Sequence, residues 1–163
     1  MAEASRVSAL IASSNPAPKA VFDVLGDFEN YAKFMPYTKE SKLISKTSEF
    51  DLITYQLLAP PLVSHRDYYI KVKLTVPAEE NAGPYKSEWT AMPDHQPTRK
   101  DVVRVRINTG SWTLEPLDGG KRTRATYALL THPGGSIPSW IANASNTTAI
   151  PDLFAAIRKR AGK

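Results

Sequence analysis

The chain has 163 residues, with 21 Lys and Arg against 16 Asp and Glu, a formal net charge of +5, and no cysteine. This length fits one domain, residues 1–163, and a composition of 42% hydrophobic and 23% charged residues excludes wholesale disorder and coiled coil. The absence of cysteine excludes disulfides, thiolate metal sites and cysteine nucleophiles.

The N-terminal part of the chain predicts one strand followed by two helices. Apolar residues alternate over residues 6–12, which favours a strand. Asn15 before Pro16 is typical of a helix start, so a helix is predicted over residues 16–25. Aromatic residues predict a second short helix from Phe28, which Pro36 ends.

From Lys39 onward the sequence predicts strands separated by turns. The segments 108–110 (NTG) and 118–120 (DGG) are typical hairpin turns. Short connections of this kind favour an antiparallel meander, and helices followed by consecutive strands indicate the α+β class. Strands are predicted over residues 41–47, 51–58, 67–76, 85–92, 101–107, 111–117 and 123–131.

The C-terminal part predicts a protruding loop and a long closing helix. Residues 91–100 contain two prolines between strands and are too long for a tight hairpin, so they indicate an Ω-type loop. Ser136 is a candidate N-cap for a helix over residues 137–160 that Pro151 should kink. Spacings of three and four place six residues on one face of this helix: Trp140, Asn143, Thr147, Ile150, Phe154 and Ile157.

No catalytic or metal-binding pattern is found. The three histidines lie far apart, and the chain has no nucleophile elbow, phosphate-binding loop or dinucleotide-binding motif, so we expect no enzyme activity, no cofactor and no metal. Prolines and glycines interrupt the long uncharged stretch 125–151, which argues against a spanning helix. Because residues 1–14 do not resemble a secretory signal, we expect a cytoplasmic location, or a periplasmic one if a signal was removed.

Basic residues cluster in the late hairpin region and at the C-terminus. Arg104 and Arg106 alternate with apolar residues, which predicts a sheet with one solvated and one buried face. Contact of these clusters with an anionic membrane or an acidic partner is the alternative interpretation. Nucleic acid is not expected as a partner, because exposed aromatic residues are not interleaved with the basic ones.

Several segments resemble the START family of lipid-transfer domains. Residues 64–69 (SHRDYY) resemble its Asn/Pro-Arg-Asp-aromatic motif, and residues 133–143 (PGGSIPSWIAN) resemble the entry into its long C-terminal helix. Residues 22–36 and 151–153 are also similar. The resemblance implies a helix-grip fold, in which a curved antiparallel sheet wraps around the C-terminal helix and encloses an internal hydrophobic cavity. It also implies that the loop at 91–100 acts as a lid.

The function that this resemblance implies is binding, and transfer, of one hydrophobic ligand, a sterol or another lipid such as a phospholipid. The protein would be a monomer that docks transiently on an anionic membrane surface. The alternatives are a polyketide aromatase or cyclase enzyme on the same fold, and a regulatory ligand-binding module.

The resemblance also predicts the nature of the site. Gln56 and Val72 occupy positions where some sterol-binding members carry an acid and a base, so we expect a neutral cavity for an uncharged ligand. Arg66 and Asp67 are expected to be structural. The predicted ligand-binding residues, many of which would equally suit a protein core, are Tyr55, Gln56, Leu57, Val72, Leu74, Trp89, Met92, Val105, Ile107, Trp112, Tyr127, Trp140, Asn143, Ala144, Thr147 and Ile150.

Overall fold

A computed structural model describes residues 3–11, 16–137 and 139–162, with the backbone alone for 3–11 and 139–147. The helices are α1 (Pro18–Gly26), a 3-10 helix (Phe28–Asn30), α2 (Tyr31–Phe34) and α3 (Ser139–Ala161). The strands are β1 (Glu3–Ile11), β2 (Thr38–Ser48), β3 (Asp51–Leu58), β4 (Arg66–Thr75), β5 (Tyr85–Ala91), β6 (Val103–Arg104), β7 (Ile107–Leu117) and β8 (Arg122–His132).

The strands form a single curved sheet in the order β1-β8-β7-β5-β4-β3-β2. Every neighbouring pair in this path is antiparallel, and the short strand β6 pairs in parallel with the beginning of β4. α3 follows the last strand and packs against α1. The predicted α+β helix-grip architecture is therefore confirmed.

The hydrophobic core lies between the concave face of the sheet and the helices. α1 begins at Pro18, where a proline at the first helical position leaves no N–H unsatisfied, and not at Pro16 as expected. Pro16 instead accepts a hydrogen bond from the buried hydroxyl of Thr123 at 2.8 Å. The buried core side chains come from α1, the sheet and the C-terminal half of α3, including Val21, Val24, Leu25, Val72, Leu114, Phe154 and Ile157.

The predicted turn at residues 108–110 is wrong, because these residues lie inside β7. The predicted strand 101–107 is reduced to the two residues of β6. Asn108 and Gly110 both interact with Trp89 on the neighbouring strand β5. Gly110 is the cross-strand partner of Trp89, and Asn108 accepts a hydrogen bond from its indole at 2.9 Å. A turn-like pair of residues thus accommodates a large side chain across the sheet. The turn predicted at 118–120 is confirmed.

The loop after β5 is held against the convex face of the sheet. Arg104 forms a bidentate ion pair with Asp67, with 2.7 Å from Nε to Oδ1 and 3.1 Å from Nη2 to Oδ2. Both side chains are almost fully buried. The same guanidinium donates to the carbonyl oxygens of Pro93, Gln96 and Pro97. Arg104 is therefore buried, and the prediction that it lies on a solvated face is wrong. Local alternation does not reveal this burial, because the partner Asp67 lies 37 residues away in sequence.

Other members of the predicted basic clusters also have partners within the chain. Arg106 pairs with Asp94 at 3.0 Å, and Arg160 pairs with Asp27 at 3.2 Å while lying over the Phe34 ring. These contacts reduce the charge that the clusters present to a membrane or an acidic partner. Within the described ranges, no helix is both long and apolar enough to cross a membrane.

Candidate ligand-binding site

A cavity of about 600 Å³ lies between the concave face of the sheet and α3. Its walls come from the region around the 3-10 helix and α2, from the strands β3, β4, β5, β7 and β8, from the turns around Leu62 and Pro133, and from Thr148, Ala149 and Leu153 of α3. Strand side chains alternate between faces, so only every second residue of each strand reaches it. The volume lies in the range of small-molecule sites, and most of the lining is aromatic or aliphatic.

Three aromatic side chains form one wall of the cavity. The ring of Tyr127 on β8 lies 4.6 Å from that of Trp112 and 6.0 Å from that of Trp89, measured between centroids. Trp112 also contacts Phe154 of α3 edge-on. Cross-strand pairing places Trp112 opposite Tyr127, so the sheet register itself builds this wall.

Polar groups are few and sit among these apolar residues. Tyr68 donates a hydrogen bond to the side-chain oxygen of Gln56, its partner across β3 and β4. Burial raises the pKa of Tyr68 and of Tyr127 well above the ordinary tyrosine value, and it does the same for Tyr31, which donates to the carbonyl of Leu25. These phenols therefore stay protonated at neutral pH. Tyr68 and Tyr31 use their single O–H on Gln56 and Leu25, so Tyr127 is the phenol that can donate to a ligand oxygen.

The cavity reaches solvent at one end, which we call the mouth and define by Tyr37, Pro61, Leu62 and Thr148, the exposed lining residues. Leu62 is 83% exposed and Tyr37 is 39% exposed. Both have positive φ, 68° and 58°, a conformation that non-glycine residues adopt rarely. The mouth is mainly apolar, with Thr148 as its polar member.

Arg66, at the start of β4, is the charged side chain that lines the described part of the cavity. It is buried, and its three nitrogens donate to backbone carbonyls of Ser64 (2.5 Å), Pro133 (3.0 Å) and Gly134 (3.1 Å). Desolvation lowers the pKa of this guanidinium. Arg66 thus ties the turn before α3 to the sheet, in keeping with the expected structural role, but it also makes the cavity less neutral than predicted.

A family model described as polyketide cyclase / dehydrase and lipid transport matches residues 16–158. The chain belongs to this family. It is 33% identical over 138 residues to an uncharacterized protein of Pseudomonas aeruginosa, a match that covers 84% of this chain and 66% of that protein. It is 26% identical over 140 residues to the phosphatidylcholine transfer protein of Mus musculus, covering 85% of this chain and 64% of the relative.

A solved structure shows the same architecture. The crystal structure of a STAR-related lipid transfer protein fragment from Xanthomonas axonopodis matches with a TM-score of 0.81 and 26% identity, covering 97% of this chain and 85% of that one. The predicted resemblance to START domains is confirmed. The chain spans just under two thirds of the length of the curated relatives it matches.

Six of the predicted binding residues of this START-type domain line its cavity: Gln56, Val72, Trp89, Val105, Trp112 and Tyr127. Tyr55 and Leu57 do not, because the alternation that turns Gln56 inward turns its two neighbours to the convex face. There the Tyr55 hydroxyl lies 3.2 Å from Asp67 and accepts a hydrogen bond from Arg99 at 3.0 Å. Of these three consecutive strand residues, the structure places Gln56 at the cavity and the other two away from it.

Four further predicted residues do not line the cavity. Residues 105–106, which belong to no strand, shift the alternation, so Asn108 faces the cavity and Ile107 is 43% exposed. Met92 lies in the loop held on the convex face, where its backbone N–H donates to Tyr69. Leu74 and Ile150 pack against the hydrophobic core. The implied lid at 91–100 is accordingly not at the cavity, and the turns around Leu62 and Pro133 border it instead.

The structure describes the side chains of only part of α3. The side chains of Trp140, Asn143, Ala144 and Thr147 lie outside the described residues, so their predicted contacts stay predictions. Beyond them, Thr148, Ala149 and Leu153 line the cavity. Phe154 and Ile157 are buried, as the predicted helical face requires.

The sequence interpretation missed part of the lining. Tyr68 and Ile70 precede Val72 at intervals of two on β4, so the alternation already contained the signal for them. Phe28, Tyr31 and Met35 come from the region of the 3-10 helix and α2, where the sequence predicts only a short helix with aromatic residues. Nothing local in the sequence marks a wall built by so short a helical segment.

The histidines play no part in a metal site within the described residues, where no group of three or more His, Asp or Glu side chains is placed to hold an ion. His95 instead packs its ring 5.0 Å from that of Tyr69 on the convex face. His132 accepts a hydrogen bond from the backbone of Gly134 through Nδ1.

Proposed function

We propose that this START-type domain binds one hydrophobic ligand in its internal cavity and carries it without chemical change. The observation that carries the proposal is the cavity itself: about 600 Å³, lined mainly by aromatic and aliphatic side chains, and open at an apolar mouth. Burying apolar ligand surface contributes about 25 cal/mol per Å², so enclosure of most of a lipid-sized molecule supports tight binding after the cost of association.

Sterol and phospholipid are the two ligand classes to compare. A sterol uses the aromatic wall and one hydroxyl contact, for which the Gln56–Tyr68 pair is suited. A phospholipid, the ligand named for the mouse relative, places its head group at the mouth and its acyl chains along the wall. The sterol is the smaller of the two and needs less of the cavity, whereas a phospholipid also has to occupy the mouth.

The binding test uses delipidated protein titrated with cholesterol, dioleoylphosphatidylcholine and oleate, followed by tryptophan fluorescence, because Trp89 and Trp112 line the cavity. Ala149→Phe on α3 extends a lining side chain into the cavity, and Ala155→Phe places the same side chain on an exposed position of the same helix. We expect saturable one-to-one binding that Ala149→Phe weakens and Ala155→Phe does not. If none of the three ligands binds saturably, the proposal is wrong.

We propose further that the ligand enters and leaves while the mouth rests on an anionic membrane. The exposed Leu62 and Tyr37 are the apolar residues of this rim, and the net charge of +5 attracts an anionic surface. This location differs from the basic clusters singled out in the sequence, several of whose members pair within the chain. A monomer suffices for this mechanism.

The second candidate is a polyketide cyclase or aromatase, which the family description favours. Tyr127 places a protonated phenol in an aromatic cavity, and a phenol of this kind can donate to a carbonyl oxygen of a folded poly-β-ketone. Incubation with a poly-β-ketone thioester, followed by mass spectrometry, distinguishes the two. A cyclised product formed over many turnovers and lost in Tyr127→Phe would favour the enzyme, whereas lipid binding without product favours the carrier.

A further inference from the structure

Arg66 is a buried cation whose charge no carboxylate of the described residues neutralises. It is 6% exposed, and no Asp or Glu among them lies within ion-pair distance of it. Its hydrogen bonds to Ser64, Pro133 and Gly134 all go to neutral carbonyl oxygens. A guanidinium has five N–H donors, so these three bonds leave two donors for another group.

Arg104, the second buried arginine of the described residues, has a different environment. Arg104 on the convex face pairs with the carboxylate of Asp67 through two hydrogen bonds and uses further donors on carbonyls of the loop. An ion removed from water is stable only when it is paired or well solvated by dipoles. Arg104 has its counterion within the fold, while Arg66 lines the cavity and has no carboxylate partner among the described side chains.

A second feature makes the same end of the cavity electropositive. α3 begins at Ser139, a few residues after the turn that Arg66 holds, and its first turn carries no acidic residue. A helix N-terminus bears a partial positive charge that acidic side chains commonly offset. Within the described residues, no acidic side chain offsets the positive charge of the helix start or of Arg66.

We propose that the ligand of this cavity is an amphiphile with an anionic oxygen group, a carboxylate or a phosphate, which pairs with Arg66 while the apolar part lies along the aromatic wall. The inference rests on the proposed function and narrows its ligand class. The sequence predicts an uncharged ligand because Gln56 and Val72 are neutral. We now infer an anionic one, because the cavity has a charged side chain at another position, Arg66 at the start of β4. A carboxylate or phosphate accepts the two remaining donors with the geometry that a guanidinium prefers.

The first test compares oleate with oleyl alcohol, which has the same hydrocarbon tail and a neutral head. Wild-type protein should bind oleate about tenfold or more tightly at pH 8, the range of a charge-assisted hydrogen-bonded pair. Arg66→Gln should remove this preference and leave oleyl alcohol binding within about threefold, and Arg66→Lys should keep part of it. Equal affinity of the wild type for the two probes overturns the inference and leaves the proposed function intact. Failure of both probes to bind also overturns the inference, and the proposed function fails with it only if cholesterol and phosphatidylcholine do not bind either.

A second measurement does not depend on how the variants fold. Oleate labelled with ¹³C at the carboxyl reports its own ionisation when bound to wild-type protein. Next to Arg66 the carboxyl should stay ionised down to about pH 4, whereas an apolar cavity without a counterion raises a carboxyl pKa. Protonation of bound oleate above pH 6 therefore contradicts the inference. A loss of both ligands in Arg66→Gln, together with a raised carboxyl pKa in the wild type, assigns Arg66 a purely structural role.

Inorganic phosphate distinguishes a lipid head group from a free anion. Phosphate added alone should compete poorly with oleate, because it lacks the apolar part that the cavity encloses. If millimolar phosphate displaces oleate from the wild type but not from Arg66→Gln, the site binds a free anion. That result would overturn the inference that the ligand is an amphiphile.

Discussion

Trp89 and Gly110 are cross-strand partners on β5 and β7, and a Cβ atom on residue 110 would lie 2.4 Å from Cζ2 of the Trp89 indole. The missing side chain leaves room for the indole to lie over the neighbouring strand. Its Nε1 then donates to Asn108, and its ring stacks with Tyr127. One glycine inside a strand thus shapes the aromatic wall of the cavity.

Gly110→Ala should destabilise the protein by about 1–3 kcal/mol, because the methyl group would clash with the Trp89 indole and would lie 2.5 Å from the backbone oxygen of Ala128. It should also weaken ligand binding, since Trp89 lines the cavity. Chemical denaturation and tryptophan fluorescence measure the two effects. Gly26→Ala is the control, with no atom within 4 Å of the added Cβ. Equal stability and binding of the two variants would exclude this role of Gly110.

The buried ion pair of Asp67 and Arg104 should be needed for stability. Arg104→Met leaves a carboxylate with no exposed surface and without its cation, which should lower the free energy of unfolding by about 3–5 kcal/mol. Adding Asp67→Asn should recover part of the loss. Arg106→Met removes a cation whose pair with Asp94 is exposed, and denaturation curves should show no change for it. Similar curves for Arg104→Met and Arg106→Met would contradict the prediction.

The buried phenols should make the folded state sensitive to alkaline pH. Burial raises the pKa of Tyr31, Tyr68 and Tyr127 above the unfolded value, so the stability they contribute is full below about pH 10 and is lost as the pH rises further. Phenolate absorbance from these three of the seven tyrosines should appear only as the protein unfolds. Tyr68→Phe and Tyr127→Phe should each remove one late phenolate. Titration of all seven in folded protein near pH 10 would be the opposite result.

Leu62 at the mouth should be needed for lipid transfer between vesicles. Leu62→Glu removes the apolar contact and adds repulsion from an anionic surface, so vesicle binding and transfer should fall about tenfold or more. Val76→Glu is the matched control, an exposed apolar residue beyond the far end of β4, about 30 Å from its start. Flotation with phosphatidylcholine and phosphatidylglycerol vesicles measures the difference. Equal losses in both variants would argue that the mouth does not dock.

Regular periodicity made much of the fold predictable. β3 lies at the predicted residues 51–58, and β8 extends the predicted 123–131 by one residue at each end. In both segments, turn residues bound a run of apolar and β-branched side chains, so local sequence and the final sheet agree. The burial of Phe154 and Ile157 on α3 follows from helical spacing in the same way.

The errors arise where partners are distant in sequence. Asn108 and Gly110 have turn propensity, but their role is decided by Trp89 on another strand. The burial of Arg104 depends on Asp67, 37 residues earlier. Tyr55 and Gln56 lie on opposite faces, and a shift of one residue in register would exchange them, so composition alone does not tell which one reaches the ligand.

The most direct test of the ligand-carrying function is native mass spectrometry of the protein purified from its expression host and again after incubation with oleate, phosphatidylcholine and cholesterol. We predict a one-to-one complex with a hydrophobic molecule that is released on denaturation, with lower occupancy in Ala149→Phe than in Ala155→Phe. A folded chain that is empty on purification and stays empty after all three incubations would contradict the account.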